Sequence, residues 1–399
     1  MSAPLELEDA QARLLDLLSP TTSRHCPVAD CAQRFLAEPV IARRTQPPTD
    51  LSAMDGYATA GEEPWLIKGE SRAGVPYDKV LGMGDAIRIS TGAQMPLGAD
   101  AVLVQEDAKV EGTRLTASAP PAARFIRRAG LDFRASATLL QSGTRMDAAQ
   151  IALARAGGLA AVVVHDPPRV AVIECGDELV ADPTACEPHQ TPAVNGAMLT
   201  AMARDAGAVA DPVGPVADDA HAITQAILNA SENAPLVVIS GGASVGPHDL
   251  VKPALEAAGF ALDFWRVAIK PGKPLLVARR GETVVLGLPG NPVSSFVTGF
   301  LFMVPAIRRL AGARHCLARP VSIPLAAPLP PGGKRREFLR AAWTESGVLA
   351  AEVQDSSAMH PLAHAQVLID RPAGADASET GAFVPGLLLE SPTQTGGYA

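Results

Sequence analysis

Two proline-glycine turns carry residue types that typically hold anions. The first lies within residues 268–274 and carries Lys270 and Lys273. The second lies within residues 288–295 and opens an apolar helix, with Pro292 at a first-turn position where its missing N–H costs nothing. Because a helix N-terminus beside fixed lysines binds anions through backbone N–H groups and charge, these turns predict an anion site. A solvated surface turn, where lysines usually lie, is the alternative.

A glycine-rich turn follows the apolar run at residues 236–239. It extends from Ser240 to Gly246 and would let backbone N–H groups approach an anion closely. An ordinary strand-to-helix turn is the alternative interpretation. Asp249 and Lys252 follow on the next predicted helix, one turn apart, and strengthen the prediction of a site.

Four carboxylates could gather around a divalent cation that itself contacts phosphate. They are Asp177 and Glu178 at the end of one predicted strand, Asp218, and Asp249. The alternative is that Asp218 only caps its helix, because aspartate is a favoured N-cap residue.

Strands and helices alternate from Arg169 onward. Apolar runs at residues 170–173 and 236–239 predict strands, and residues 197–205, 220–229 and 250–258 show helical spacing. This alternation predicts a parallel-sheet α/β domain. In such sheets ligands bind at the carboxyl ends of the strands, where Gly176-Asp177-Glu178, Gly241-Gly242 and Leu288-Pro289-Gly290 fall.

The other segments predict a helix and smaller β-rich parts. Residues 8–18 carry an apolar stripe at helical spacing, and residues 65–116 read as short strands and turns. We therefore predict a multidomain α/β protein with a central parallel-sheet domain. The expected division is a discontinuous N-terminal domain (1–56 and 134–167), a small β-rich module (57–133), the α/β domain (168–314) and a C-terminal β-barrel-like domain (315–399).

Composition and charge disfavour several partners. The chain has 34 basic and 42 acidic residues, a net charge of -8, and only 4% aromatic residues. Nucleic acid and anionic membranes are therefore not expected as partners. The N-terminus has no basic-then-apolar signal segment, and the apolar run at residues 293–307 is shorter than a bilayer requires. Five cysteines, an odd number, predict a reducing cytoplasm.

The chain resembles the molybdenum-insertase family, the molybdopterin molybdenumtransferases that include MoeA and the gephyrin E-domain. The resemblance rests on motifs that occur in order along most of the chain. They are SAMDGYA (52–58), RISTGA (88–93), GADAV (98–102), GDEL (176–179), Asn195, Asp218-Asp219, residues 240–249, residues 269–274 and residues 288–294.

The resemblance implies four structural parts, a homodimer and an activity. An upstream molybdopterin adenylyltransferase would adenylate molybdopterin; this protein would then cleave the adenylyl group and insert molybdenum from molybdate, with Mg²⁺ as the metal. The implied catalytic residues are Asp55, Thr91, Glu178, Asp218, Asp249, Lys270 and Lys273. The implied substrate-binding residues are Gly241, Gly242, Ser244, Gly246, Pro289, Gly290, Asn291, Pro292 and Ser294. The implied metal and phosphate residues are Asp177, Glu178, Asp218 and Asp249.

Several positions depart from the family pattern, mostly through loss of a polar residue. Glu174-Cys175 stands where the family commonly has Ser-Thr, and Val194 stands where a polar or charged residue is usual. Leu51, Leu131 and Ala217 are further departures. A non-catalytic scaffold that binds molybdopterin, and an adenylyltransferase of related fold, are therefore the competing hypotheses.

Overall fold

Residues 4–241 and 250–389 are described in the structure, which is a computed structural model. The chain divides into two units. One comprises Met1–Arg24, Gln33–Ala37 and Val164–Ala399, and the other comprises His25–Ala32 and Glu38–Val163. Four predicted site residues, Gly242, Ser244, Gly246 and Asp249, lie outside the described residues.

Helices form at each segment where the sequence analysis predicted one, and α2 and α8 are additional. In the described residues the α-helices are α1 (Leu7–Asp16), α2 (Ala148–Ala156), α3 (Asn195–Asp205), α4 (Ala220–Ser231), α5 (Val251–Ala257), α6 (Pro292–Thr298), α7 (Val304–Leu310) and α8 (Met359–Ala363). On α1, Ala10 and Leu14 are fully buried, because residues four apart lie on one helix face.

The smaller unit contains a six-stranded sheet. Its strands are β1 (Gly56–Thr59), β2 (Trp65–Ser71), β3 (Asp85–Ile89), β4 (Ala101–Val104), β5 (Ala108–Glu111) and β6 (Arg114–Ala117), in the order β4-β1-β3-β2-β6-β5. Only β2 and β3 are parallel neighbours. Ile87 and Ile89 on β3 are buried in its core.

The larger unit is built on a second six-stranded sheet. The strands in this part of the chain are β7 (Arg169–Cys175), β8 (Val209–Val216), β9 (Leu236–Ser240), β10 (Ala261–Arg266), β11 (Ile269–Lys270), β12 (Pro274–Arg280) and β13 (Thr283–Leu288). The order is β8-β7-β9-β13-β12-β10, and β11 belongs to another sheet. Along β7, Val172 packs in one core cluster and Ile173 in the cluster on the opposite face. A continuous apolar run is therefore buried on both sides, as parallel strands require.

One strand departs from the predicted parallel arrangement. β8, β7, β9 and β13 are parallel, whereas β12 runs antiparallel to both of its neighbours, β13 and the edge strand β10. Only Gly281 and Glu282 separate β12 from β13. A two-residue connection can form a hairpin but cannot cross over to a parallel neighbour, so β12 must be antiparallel to β13.

A third sheet lies towards the end of the described chain. It contains β11 with β14 (Val321–Pro324), β15 (Arg336–Thr344), β16 (Gly347–Ala350), β17 (Val367–Arg371) and β18 (Phe383–Leu388). The order is β11-β15-β17-β18-β14, with β16 paired to β15. Further short strands are Ser23–Pro27, Val40–Ile41, Leu51–Ser52, Ile126–Arg127, Thr138–Leu140, Ala161–His165, Leu179–Val180 and Thr191–Pro192.

The apolar segment after β13 forms a longer helix than expected. α6, a π-helical turn (Gly299–Met303) and α7 make a continuous helix, Pro292–Leu310, of 19 residues. The prediction that this segment is too short to span a bilayer was therefore wrong as to length. Its most apolar window is 78% buried inside the protein, as in the core helix of a folded domain.

Candidate active site

Three neighbouring parallel strands end side by side in the larger unit. Glu174 at the end of β7 is in register with Ser240 of β9, and Ser240 is in register with Leu288 of β13. The turns that follow begin with Gly176, Gly241 and Pro289. The structure therefore brings together the three glycine-containing turns that the sequence placed at the strand ends.

These turns enclose a cavity of about 600 Å³. The residues that line it are Glu174, Cys175, Gly176, Glu178, Leu179, Thr191, Pro192, Val194, Asn195, Asp218, Gly241, Pro274, Pro289, Gly290, Asn291, Pro292 and Ser357. Seven predicted site residues lie in this wall: Glu178, Asp218, Gly241, Pro289, Gly290, Asn291 and Pro292.

Close approach of the backbone explains the glycine at position 241. Gly241 has φ +91°, and a Cβ there would lie 2.1 Å from the carbonyl oxygen of Cys175. Only glycine fits, since a side chain would meet both strain and a backbone clash. The hydroxyl of the preceding Ser240 donates to the carbonyl oxygen of Pro289 at 3.3 Å and lies 3.2 Å from the Ser295 hydroxyl. The turn after β9 is thereby fixed to the first turn of α6.

Carboxylates cluster at one end of the cavity. The backbone N–H of Asp218 donates to Oδ1 of Asp177 at 2.9 Å. Burial raises the pKa of Asp218, a hydrogen bond from the backbone of Asp177 to the Asp218 carboxyl lowers it, and the nearby carboxylates of Asp177 and Glu178 raise it. Burial, Asp218 and Glu174 also raise the pKa of the neighbouring Cys175 thiol to about 12, so this thiol stays protonated at neutral pH.

The hypothesis that Asp218 caps α4 is wrong. Asp219 is the N-cap residue, and its Oδ1 accepts the backbone N–H of Ala222 at 2.8 Å. The cap therefore leaves Asp218 available at the cavity. Within residues 4–241 and 250–389, no three His, Cys, Asp or Glu side chains are arranged to hold a metal ion. The predicted metal set stays a prediction, because its fourth member, Asp249, is not among those residues.

The first turn of α6 has fewer free N–H groups than an open anion site would have. Pro292 has no N–H, and the N–H of Val293 donates to the carbonyl oxygen of Ser356 at 3.1 Å. The side chain of Asn291 donates to the Ser356 hydroxyl at 2.9 Å. The predicted residue Ser294 is 6% exposed, and its carbonyl accepts the Thr298 hydroxyl. The part of this turn that remains available to a ligand is therefore its surface at Pro289–Pro292.

One buried arginine holds the segment that covers this turn. Arg340 on β15 is 1% exposed, and its guanidinium donates to the side chain of Gln354 and to the carbonyl oxygens of Val353 and Ala358. These bonds fix the loop that carries Ser356 onto α6 and Ser357 into the cavity wall. The sequence analysis did not predict a role for Arg340.

The two predicted lysines differ in their surroundings. Lys270 forms a 2.8 Å ion pair with Glu337, whereas Lys273 is exposed and precedes Pro274 in the cavity wall. Gly272 between them has φ +102°, and a Cβ there would lie 2.4 Å from the Thr298 side chain. Glycine at this position lets the lysine turn pack directly on α6.

Asp55 and Thr91 contact each other in the smaller unit. Oδ1 of Asp55 accepts the backbone N–H of Thr91 at 2.7 Å, and both residues are exposed. The bond joins the turn before β1 to the turn after β3. Two residues that the family resemblance implied from separate motifs are therefore hydrogen-bonded neighbours in the structure.

Fold and cavity together define an α/β protein whose glycine-lined cavity is built from the turns after three parallel strands. Family models match the chain in order: the MoeA N-terminal region (domains I and II) at residues 5–158, a probable molybdopterin binding domain at residues 171–309, and the MoeA C-terminal region (domain IV) at residues 322–389. The chain belongs to the MoeA family of molybdopterin biosynthesis proteins.

Relatives of known name and structure agree with this assignment. The molybdopterin molybdenumtransferase of Haemophilus influenzae is 32% identical over 319 residues, covering 78% of this chain and 79% of the relative. That of Nostoc sp. is 37% identical over 293 residues, covering 70% and 67%. The crystal structure of a molybdopterin biosynthesis MoeA protein from Pyrococcus horikoshii superposes with a TM-score of 0.83 at 25% identity, covering 97% of this chain and 100% of that one. The predicted family, fold class and enzyme class, a transferase, are confirmed.

Proposed function

We propose that this protein is a Mg²⁺-dependent molybdenum insertase that cleaves adenylated molybdopterin and inserts molybdenum from molybdate. The observation that carries the proposal is the cavity at the ends of β7, β9 and β13, which combines glycine turns with the carboxylates of Glu178 and Asp218 in a chain of this family. Its volume of about 600 Å³ is in the range of small-molecule and cofactor sites.

Carboxylate oxygens are the type of ligand that Mg²⁺ prefers. Burial, together with the charges of Asp177 and Glu178, raises the pKa of Asp218, and a bound cation would favour its ionised form. These three residues, with Asp249, would hold the ion. When bound, Mg²⁺ neutralises charge on phosphate oxygens. Asp219 keeps α4 capped, so that Asp218 is free for this role.

The lysine turn would hold the oxyanions. Lys273 is exposed beside a cavity residue, and a lysine ammonium is a mobile point charge that can follow an anion. Lys270 would exchange its ion pair with Glu337 for an oxyanion, or use that pair to stay in place. Ser244 would add a hydroxyl donor.

We also propose a homodimer whose active site combines Asp55 and Thr91 of one subunit with the carboxylates and lysines of the other. Molybdopterin and its adenylyltransferase would act upstream. We expect a cytoplasmic protein without nucleic-acid or membrane partners, an expectation supported by five free cysteines and by the burial of helix Pro292–Leu310.

AMP release tests the proposed function directly. Purified protein, adenylated molybdopterin, Mg²⁺ and molybdate should yield AMP together with molybdenum cofactor that activates an apo-molybdoenzyme. Omitting molybdate or chelating Mg²⁺ should stop the formation of molybdenum cofactor. A wild-type protein that binds molybdopterin but never releases AMP would contradict the proposal and support the scaffold hypothesis.

A further inference from the structure

Glu174 is a buried carboxylate in the cavity wall, at the end of β7. Its Oε1 accepts the backbone N–H of Asn195 at 3.0 Å, and its Oε2 accepts that of Gly196 at 2.7 Å. The residue is 5% exposed. A charged side chain is seldom buried without such partners, and carboxylates bind helix N-termini through the same N–H groups that bind phosphate.

The α3 N-terminus is shaped around this carboxylate. A Cβ on Gly196 would lie 2.8 Å from Glu174 Oε2, so the absence of a side chain at position 196 lets the oxygen approach the backbone. The N-cap residue of α3, Val194, has no side-chain acceptor and makes no capping bond. Glu174 therefore supplies from β7 the acceptor that a polar residue at position 194 would supply locally.

Asn195 provides an independent sign of a ligand at this end of the cavity. Its Nδ2 donates to the carbonyl oxygen of Gly290 at 2.6 Å. Since only the nitrogen can donate to a carbonyl, this bond fixes the orientation of the amide. The remaining atom, Oδ1, is buried and has no hydrogen-bond partner, although Asn195 is only 5% exposed. A buried acceptor without a donor is costly, and a ligand N–H or O–H would satisfy it, whereas a bare oxyanion would not.

We propose that Glu174 is a specificity residue that fills the anion site of α3 from within the protein. The inference rests on the proposed function, because it concerns how the same cavity orients an adenylated pterin. Glu174 repels phosphate and molybdate from the N-terminus of α3, and Oδ1 of Asn195 offers an acceptor to a donor on the organic part of the substrate. The oxyanions would bind at the lysine turn, where Pro274 follows Lys273.

Binding of inorganic phosphate tests this assignment without turnover. In Glu174→Ala the two N–H groups of Asn195 and Gly196 lose their internal anion, so phosphate should bind at least about tenfold more tightly than to wild type, a change of about 1.4 kcal/mol. Titration calorimetry measures the affinity, and chemical shifts of the two amides locate the ion. The matched control is Asp219→Ala, which removes a carboxylate cap from α4 outside the cavity wall.

Phosphate binding by Glu174→Ala no tighter than wild type, or an equal gain in Asp219→Ala, overturns the assignment. Should Glu174→Ala fail to fold, the double variant Glu174→Ala/Val194→Ser restores a local cap and still lacks the repelling carboxylate. It should also bind phosphate more tightly than wild type, and a double variant that does not overturns the assignment. Either result is independent of AMP release, so failure of the proposed function would be recognised separately.

Discussion

The backbone N–H of Asp218 donates to Oδ1 of Asp177 at 2.9 Å, across 41 positions of the chain. The bond joins the turn after β7 to the residue just before the cap of α4. It holds two carboxylates close together, and burial, with the charges of Asp177 and Glu178, raises the pKa of Asp218. The backbone therefore keeps these acids near each other although their charges repel.

Asp218→Asn should abolish AMP release and raise the melting temperature at pH 7. The variant removes a proposed metal ligand, and it also removes a buried charge and its repulsion from Asp177 and Glu178. A carboxyl with a raised folded pKa costs stability above that pKa, and the cost vanishes below its ordinary value of 3.8. The gain in melting temperature should therefore shrink as the pH is lowered through this range. Calorimetry across pH and an AMP assay measure both effects.

Asp219→Asn is the control for that prediction. Asparagine caps a helix about as well as aspartate, so this neighbouring variant should keep both stability and AMP release. Full AMP release by Asp218→Asn at limiting Mg²⁺ would refute the metal assignment.

Complementation between two inactive variants should reveal a shared active site. Asp55→Asn and Asp218→Asn alter residues in different structural units. If each site takes Asp55 from one subunit and Asp218 from the other, a mixed dimer has one intact site. Subunits exchanged by mild denaturation and renaturation should then regain AMP release, whereas each variant alone stays inactive. No recovery in a verified mixed dimer would place both residues in the same subunit's site, and a monomer in sedimentation would contradict the dimer itself.

Lys273→Ala should weaken molybdate binding without destabilising the fold. Within the part of the chain that the structure describes, Lys273 makes no ion pair and is exposed, so its removal costs little packing. Loss of one charged hydrogen bond should cost roughly 1.5–3 kcal/mol of binding. Calorimetric titration with molybdate checks the effect, and Lys109→Ala on β5 controls for the loss of an exposed positive charge. Equal molybdate affinities for wild type and Lys273→Ala would show a solvated turn residue.

Glu8→Gln should reduce stability slightly at pH 7 and not at all in acid. Glu8 on α1 accepts a hydrogen bond from Arg336, which lowers the pKa of Glu8 below its usual 4.5. A lowered folded pKa contributes stability above the unfolded value, and that contribution disappears as the pH falls through the folded pKa. Because Glu8 is largely exposed, the effect should be below about 1 kcal/mol. Urea unfolding at several pH values, with Glu6→Gln as control, measures it; a deficit that persists in acid would count against the linkage.

Local patterns predicted the elements well because they depend on neighbours in the chain. The helical spacing around Leu14 and the apolar run at Val170–Ile173 are examples, and the strand-end rule correctly brought Gly176, Gly241 and Gly290 to one cavity. The antiparallel strand β12 was missed, although the short Gly281-Glu282 connection was a readable signal.

Contacts between distant segments could not be predicted from the sequence. Nothing near Glu174 indicates that it caps a helix starting 21 positions later, and nothing near Val293 indicates that Ser356 takes its N–H. Such bonds depend on tertiary packing, which no local period encodes. The alternative that Asp218 caps α4 failed for a smaller reason: the next residue is also an aspartate, and a shift of one position decides which of the two caps the helix.

The Val293–Ser356 bond also bears on how this protein can be divided. In a fragment that ended before β14, the N–H of Val293 would lose its acceptor and Ser357 would be missing from the cavity wall. The parallel-sheet domain alone therefore does not contain the complete cavity. Recombination that exchanged the C-terminal β-domain would also replace a cavity residue, so we expect the two domains to be inherited together.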